Sequence, residues 1–351
     1  MKDYRPYDLN VMFRAGHSQF WELADKAGIL GKMNLSLHSN EETHDPRVAE
    51  AALFNGEIDF ICGNHITPYR WVGLGKPIVC LASPSNSIQS RMVTREPVES
   101  LAAFKAKGLR VADSSLIATN GVASHDRLNH VLDIMRQGYA EGEAEWVEVG
   151  PHTPGGGVPA GVPEALIEAV KSGKADAAFV YRSRGESEAP TGLHYLELPV
   201  LPMINGTTIT TSYEALHKKE GLAERLVQAM VETIHYARMH PEEAQRFLDV
   251  KDDRPYTQHG GRAESVARAP IKPYPSGEGI LNAWELSRMR YEEARAANPQ
   301  ALWDMHYLRD LDLSGFIDEL IEEEPASVRE RYATEFKPVT SARLFTQNTT
   351  M

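Results

Sequence analysis

Residues 48–83 read VAEAALFNGEIDFICGNHITPYRWVGLGKPIVCLAS, and this stretch decides the fold. Its first part predicts a short amphipathic helix that ends at Asn55-Gly56. This pair is typical of helix C-termini, where one residue adopts the left-handed backbone conformation. The apolar positions of that helix are Val48, Ala51, Ala52 and Leu53. Two apolar runs, at residues 58–62 and 78–82, predict short buried strands. Alternation of helix and strand is typical of an α/β domain.

A loop at residues 63–67 separates the first of these strands from the next helix. Thr67-Pro68 predicts the helix start, because a threonine hydroxyl can cap the first turn and proline is tolerated there. In open α/β sheets, ligands bind where strands end and helices begin, since free N–H groups point into that region. We therefore expect this loop to contribute to a ligand site.

The same pattern returns later in the chain. Residues 165–181, ALIEAVKSGKADAAFVY, again predict an apolar-striped helix, a glycine stop, an aspartate and a buried strand. Gly56 and Gly173 correspond, and Asp59 and Asp176 correspond at the same separation. This repeat predicts two similar α/β lobes rather than a solenoid.

With its loop from Gly63 to Pro68 and its Gly-Lys-Pro-Ile turn at residues 75–78, this pattern resembles the type 2 periplasmic binding protein fold. The most similar branch contains the sulfonate, nitrate and taurine receptors and the thiamine-pyrimidine synthases. The resemblance implies two α/β lobes joined by two crossing strands, with a ligand cleft between them. We expect lobe 1 at residues 1–90 and 196–250, lobe 2 at 91–195, and a C-terminal helical extension at 251–351 packed on lobe 1.

Composition restricts the partners. The 351 residues carry a net charge of −12 without a basic run, so nucleic acid is not an expected partner. No apolar stretch reaches the length of a membrane span. The N-terminal sequence has no apolar export signal, so we expect a cytoplasmic protein, or a periplasmic one if a leader has been removed. Cys62 and Cys80 lie in apolar runs and are expected to be buried free thiols.

Polar residues that follow the predicted strands form the expected site. They are Arg14 and His17, Asn64 and His65, Ser114 and Ser115, Tyr181 and Arg182, and Asn205 and Thr207. Two guanidinium groups can bind carboxylate or sulfonate oxygens bidentately, and the neutral side chains add hydrogen bonds. The set predicts a site for a small organic anion. No metal-binding motif and no cofactor are expected.

Several of these residues also have a purely structural interpretation. Arg182 belongs to a polar segment and could be solvated. His17 and His65 could be hydrogen-bonded loop histidines without a chemical role. Tyr181 could belong to the core.

The first functional hypothesis is an intracellular lyase, such as a decarboxylase, acting on a small cyclic or aromatic carboxylate. It rests on the missing export signal and on the two histidines of the predicted cleft. Intracellular members of the family that the sequence resembles, such as dihydroxyphthalate decarboxylase and chorismate dehydratase, imply that a similar fold can support elimination or decarboxylation. Arg14 or Arg182 would hold a carboxylate, and His65 or His17 would act as general acid. The chemistry of thiamine-pyrimidine synthases is not expected, because loop 63–67 contains no lysine and the later cysteine run is missing.

The alternative is a binding protein without turnover, either a receptor of the ABC-transporter type or a cytosolic sensor. It needs the same anion site but neither acid nor base. The sequence leaves a homo-oligomer open.

Overall fold

A computed structural model describes residues 4–14, 17–43, 45–114, 117–118, 122–123, 125–149, 162–180, 189–248 and 261–333. The chain forms two compact units. The first comprises Met1–Ser87, Pro202–Asp253 and His259–Met351. Most of the second is Ile88–Leu201.

The strands of both units are short, apart from the first two. They are β1 (Tyr7–Arg14), β2 (Leu35–Thr43), β3 (Phe60–Cys62), β4 (Ile78–Cys80), β5 (Ser87–Ile88), β6 (Arg91–Thr94), β7 (Arg110–Asp113), β8 (Ile117–Ala118), β9 (Val122–Ala123), β10 (Glu145–Glu148), β11 (Ala177–Val180), β12 (His194–Glu197), β13 (Leu201–Pro202) and β14 (Ile209–Ser212).

The α-helices are concentrated in the first unit. They are α1 (Gln19–Lys26), α2 (Ile29–Lys32), α3 (Pro46–Phe54), α4 (Pro68–Gly73), α5 (His125–Arg136), α6 (Val162–Lys171), α7 (Tyr213–Lys218), α8 (Leu222–Met239), α9 (Pro241–Leu248), α10 (Arg262–Ala267), α11 (Gly277–Arg290), α12 (His306–Leu313), α13 (Phe316–Glu323) and α14 (Ala326–Arg331). Short 3₁₀ helices cover Leu101–Lys107, Glu292–Ala296 and Pro299–Leu302.

The two units contain sheets of the same design. In the first, the strand order is β2-β1-β3-β14-β4, where β1 runs parallel to β2 and β3, and β14 runs antiparallel to β3 and β4. In the second, the order is β10-β7-β11-β6-β12, with β7 parallel to both neighbours and β6 antiparallel to both of its own. Each sheet therefore contains one reversed strand at the same place.

The chain passes between the units at Ser87–Ile88 and again at Leu201–Pro202, and these two segments pair as β5 and β13. Fully buried residues pack around each sheet: Phe60 and Trp21 contact each other in the first unit, with ring centroids 4.7 Å apart. In the second unit, Met92 and Val111 are fully buried on the sheet.

The repeated aspartates occupy equivalent places. Asp59 exchanges backbone and side-chain hydrogen bonds with Asn10 of β1, where Asn10 N donates to Asp59 Oδ2 at 2.8 Å. Asp176 does the same with Arg110 of β7, whose N donates to Asp176 Oδ2 at 3.0 Å. Gly56 and Gly173, with φ of 73° and 77°, end the preceding helices. Each aspartate thus joins the start of its own strand to the parallel neighbour.

Residues of the C-terminal segment pack on α8. Arg238 of α8 is buried and donates to the carbonyl oxygens of Ala267 at 2.9 Å and Ala269 at 2.8 Å. It also pairs with the buried Glu324 at 3.1 Å. The boundary of the extension at residue 251 stays a prediction.

One strand is longer than its apolar residues suggest, and one prediction of local structure was wrong. β2 continues through the polar residues 39–43 as far as Thr43, because β1 offers hydrogen-bonding partners along its whole length. On α3, Val48 is 51% exposed, whereas Ala49 and Glu50 are fully buried. Apolar spacing alone could not identify a buried face that carries a carboxylate. Among the described residues, no helix is long and apolar enough to cross a membrane.

Candidate functional site

Loop 63–67 follows β3 and is buried along its whole length. Gly63 has a φ of 93°, and a Cβ atom at this position would lie 2.8 Å from Cγ and Nδ1 of His17. The thiol of Cys62 donates to the carbonyl oxygen of His17 at 3.1 Å. His17 therefore packs directly on the loop that carries His65, and the absent side chain of Gly63 makes this contact possible.

Three segments of the first unit meet at the same edge of its sheet. Arg14 ends β1, and the pairing of Phe13 with Cys62 puts it beside Gly63. The segment before β14 reaches the same edge, since Gly63 N donates to Thr208 O at 3.1 Å. The predicted site residues at this edge, called the strand-end edge below, are Arg14, His17, Asn64, His65, Asn205 and Thr207.

Glu50 is a fully buried carboxylate next to this loop. The side-chain amide of Asn64 donates to Glu50 Oε1 at 3.0 Å, and Arg70 pairs with Oε2 at 3.2 Å. The Thr67 hydroxyl contacts the same carboxylate and lies 2.7 Å from Asn64 Oδ1. A buried charge is stable only with such partners. The predicted start of α4 at Thr67-Pro68 is confirmed, but the prediction that the Thr67 hydroxyl caps its first turn was wrong, because that hydroxyl contacts Glu50 instead.

Arg14 is half-buried and donates from one terminal nitrogen to Thr43 O at 3.1 Å. Burial lowers the pKa of its guanidinium, and repulsion from Arg290 acts in the same direction, whereas Asp45 and Glu50 oppose both. Asp45 is already paired with the exposed Arg47 at 2.7 Å. The charge of Arg14 is therefore compensated only in part.

Two further arginines flank the ring of Tyr291, which follows α11. The Cζ atom of Arg70 lies 5.1 Å from the ring centroid, and that of Arg290 lies 5.5 Å from it. Both distances are in the range of cation–π contacts. The C-terminal segment thus brings a cation and an aromatic ring to the neighbourhood of Arg14 and Glu50.

In the second unit, Ser114 follows β7 and is half-buried. The preceding Asp113 accepts a hydrogen bond from Arg127 Nε at 2.8 Å and lies 2.9 Å from His130 Nδ1. The ring of His130 stacks on Phe179 with centroids 3.7 Å apart. These contacts order the end of β7. The other predicted residues, Ser115, Tyr181 and Arg182, lie outside the described residues.

The sequence did not single out Glu50, Arg70, Arg290 or Tyr291. A glutamate three positions before Leu53, on the same helix face, was one available signal for Glu50. Nothing in the sequence relates Arg290 to Arg14, because the two residues are far apart along the chain. Among the described residues, no group of three histidines, cysteines or carboxylates could hold a metal ion.

No protein-family model matches the sequence, and no curated protein sequence matches it. Solved structures match its fold at low sequence identity. The periplasmic aliphatic sulphonate binding protein SsuA from Escherichia coli is 17% identical, with a TM-score of 0.53 over 86% of this chain and 93% of that one. The periplasmic nitrate-binding protein NrtA from Synechocystis PCC 6803 is 13% identical, with a TM-score of 0.52 over 93% and 91%.

A protein from a yeast shows the same likeness. The Candida albicans CA3427 gene product, described as having the generic periplasmic binding protein fold, is 13% identical, with a TM-score of 0.50 over 85% of this chain and 96% of that one. The predicted fold is therefore confirmed: the chain has an α/β fold similar to that of these periplasmic binding proteins.

Proposed function

We propose that the protein is a binding protein for a small anion, which it holds at the strand-end edge of the first unit. The main support for this proposal is the environment of Arg14. In a chain with a net charge of −12, the guanidinium of Arg14 is half-buried at the end of a strand, and its charge is only partly compensated. A cation kept in such a place is costly unless an anion binds to it.

The other residues of the strand-end edge supply hydrogen-bond donors of different kinds. Arg14 would neutralise the anion, and Asn205 and Thr207 would donate to its remaining oxygens. His17 and His65 would shape the site and donate from their imidazole rings. Asn64 would act indirectly, because its amide donates to Glu50 and so orders the loop. In the second unit, Ser114, Ser115, Tyr181 and Arg182 stay sequence-based predictions.

The solved structures of similar fold support binding over catalysis. SsuA and NrtA are described as binding proteins, for sulphonates and for nitrate respectively, and both are described as periplasmic. The comparisons therefore do not support the lyase hypothesis or the expectation of a cytoplasmic location. Since identity to them is below 20%, the ligand must be inferred from the residues of this chain.

The test is a thermal-unfolding screen of the whole chain against small carboxylates, sulfonates and inorganic anions, followed by mass spectrometry of each ligand after incubation. A ligand that binds only the native state raises the melting temperature. We expect a hit that is recovered chemically unchanged. Conversion of the hit into a decarboxylated or dehydrated product would overturn the binding-protein proposal.

Arg14→Gln and Arg268→Gln form a matched pair for the same screen. Arg268 is an exposed arginine of the first unit that pairs with Glu264. Both variants change the net charge equally. We therefore expect that Arg14→Gln suppresses the ligand-induced rise in melting temperature and that Arg268→Gln does not.

A further inference from the structure

Three arginines and one tyrosine form what we call the arginine cluster: Arg14, Arg70, Arg290 and Tyr291. Arg70 and Arg290 contact the Tyr291 ring from Cζ distances of 5.1 and 5.5 Å. The positive charge of Arg290 contributes to lowering the pKa of the Arg14 guanidinium, after the larger effect of burial. The positive charges of such partly buried guanidiniums repel each other, and a bound anion would reduce this repulsion.

The hydrogen bonds of the cluster are incomplete within the part of the chain that the structure describes. The Nε atoms of Arg70 and Arg290 are both buried, and neither has an acceptor there. Arg70 uses a terminal nitrogen for Glu50, so only one of its donor groups is satisfied by that pair. A buried donor without an acceptor destabilises the protein, and a charged one does so more strongly. Two such donors, on guanidiniums that lie beside the same ring, fit an oxyanion as their acceptor.

The net charge of the arginine cluster and its neighbours indicates how many negative charges an anion bound there would carry. Glu50 is the carboxylate that contacts the cluster directly, whereas Asp45 is neutralised by the bidentate Arg47. Three guanidiniums therefore face one carboxylate. The described residues leave an excess of two positive charges.

From this arrangement we propose that the arginine cluster binds an anion with two negative charges, with Arg290 and Tyr291 of the C-terminal segment completing the site begun by Arg14. This inference rests on the proposed function and narrows its ligand class. The two charges can reside on one centre, as in phosphate or sulfate, or on two carboxylates of one molecule. Guanidinium forks suit both arrangements.

Arg290 has a further property that separates a binding role from a structural one. Its Nε atom has no acceptor among the described residues, and its positive charge repels that of Arg14. Removing this charge should therefore leave the ligand-free protein at least as stable as the original. A residue that stabilises only the liganded state is the signature of a binding site.

The experiment is isothermal titration calorimetry of the full chain with phosphate, sulfate and maleate as dianions, and nitrate, acetate and methanesulfonate as monoanions. Ionic strength is held constant, at a pH where phosphate and maleate are doubly charged. Arg290→Gln is compared with Arg288→Gln. Arg288 lies on the same helix, pairs with Glu285 and stacks on Trp284, outside the cluster.

We expect the best dianion to bind about tenfold more tightly than any monoanion, a difference of about 1.4 kcal/mol. Arg290→Gln should abolish this preference without lowering the melting temperature of the ligand-free protein, and Arg288→Gln should keep the preference. The ranking of phosphate and sulfate against maleate decides between one charged centre and two.

Equal affinity for dianions and monoanions in the unaltered protein, or a preference that survives Arg290→Gln, would overturn the inference and leave the proposed function intact. Binding of none of the six anions would overturn both. The ranking in the unaltered protein needs no variant, so it tests the inference even if Arg290→Gln fails to fold.

Discussion

The side-chain amide of Asn64 donates a hydrogen bond of 3.0 Å to the fully buried carboxylate of Glu50. This bond connects α3 to the loop after β3. Arg70 of α4 pairs with the other oxygen of the same carboxylate. The loop of the candidate site is therefore held in place by a charge that never reaches solvent. The local geometry of the strand-end edge depends on this charge as much as on the sheet.

Replacing Glu50 should destabilise the protein strongly. Glu50→Ala leaves the Asn64 amide and the Arg70 guanidinium without their acceptor, and loss of one partner of a buried pair costs roughly 3–5 kcal/mol. Glu57→Ala is the control, since Glu57 is exposed and its carboxylate accepts a hydrogen bond from the side chain of Asn55 at 3.2 Å, and the change should cost less than about 0.5 kcal/mol. Urea unfolding measures both. Equal effects of the two variants would show that the buried carboxylate does not hold the loop.

Gly63→Ala should disturb the site through a clash. The new Cβ would lie 2.8 Å from the ring of His17, in a backbone conformation with φ of 93° that alanine rarely adopts. We expect a loss of roughly 1–3 kcal/mol in the free energy of unfolding, together with weaker anion binding.

Gly75→Ala separates strain from clash. Gly75 has a similar φ of 72°, but a Cβ there meets no atom within 4 Å. The variant should cost about 1 kcal/mol and leave anion affinity unchanged. If Gly75→Ala weakens binding as much as Gly63→Ala, the contact with His17 is not what matters.

Asp133 should make stability depend on pH in a predictable direction. Burial raises the pKa of this carboxyl from its ordinary value of 3.8 to about 6, although a hydrogen bond from Ser90 opposes the shift. Because the folded state favours the protonated form, the contribution of Asp133 to stability is fully present below about pH 4 and is lost as pH rises through about 6.

Asp133→Asn removes this titration. Relative to the variant, the unaltered protein should lose up to roughly 3 kcal/mol of unfolding free energy between about pH 4 and about pH 7. Urea unfolding of both proteins at the two pH values gives the difference directly. A difference that is independent of pH would contradict the raised pKa.

Features that depend on local chain chemistry were predictable from the sequence. The glycine stops and the equivalent aspartates of the two units were visible as a repeat, because a helix end and a strand start are specified by neighbouring residues. Arg14, His17 and loop 63–67 could be placed at one edge for a similar reason. Parallel strands bring their carboxyl ends together, so the strand order did not need to be known in detail.

Features that depend on distant packing were not predictable. The burial of Glu50 depends on partners from α4 and the preceding loop, and an apolar stripe cannot reveal them. Arg290 and Tyr291 approach Arg14 only because the C-terminal segment folds back into the first unit. The polar end of β2 lacks apolar alternation, and pairing with β1 is what makes it a strand.

The most direct test of the central claim is calorimetric titration of the best-binding anion into the unaltered protein and into Arg14→Gln. We expect saturable binding to the unaltered protein and a loss of about 2–5 kcal/mol in binding free energy for Arg14→Gln, because one partner of a desolvated charge pair is removed. Undiminished affinity of Arg14→Gln, in a variant that folds normally, would contradict an anion site at the strand-end edge.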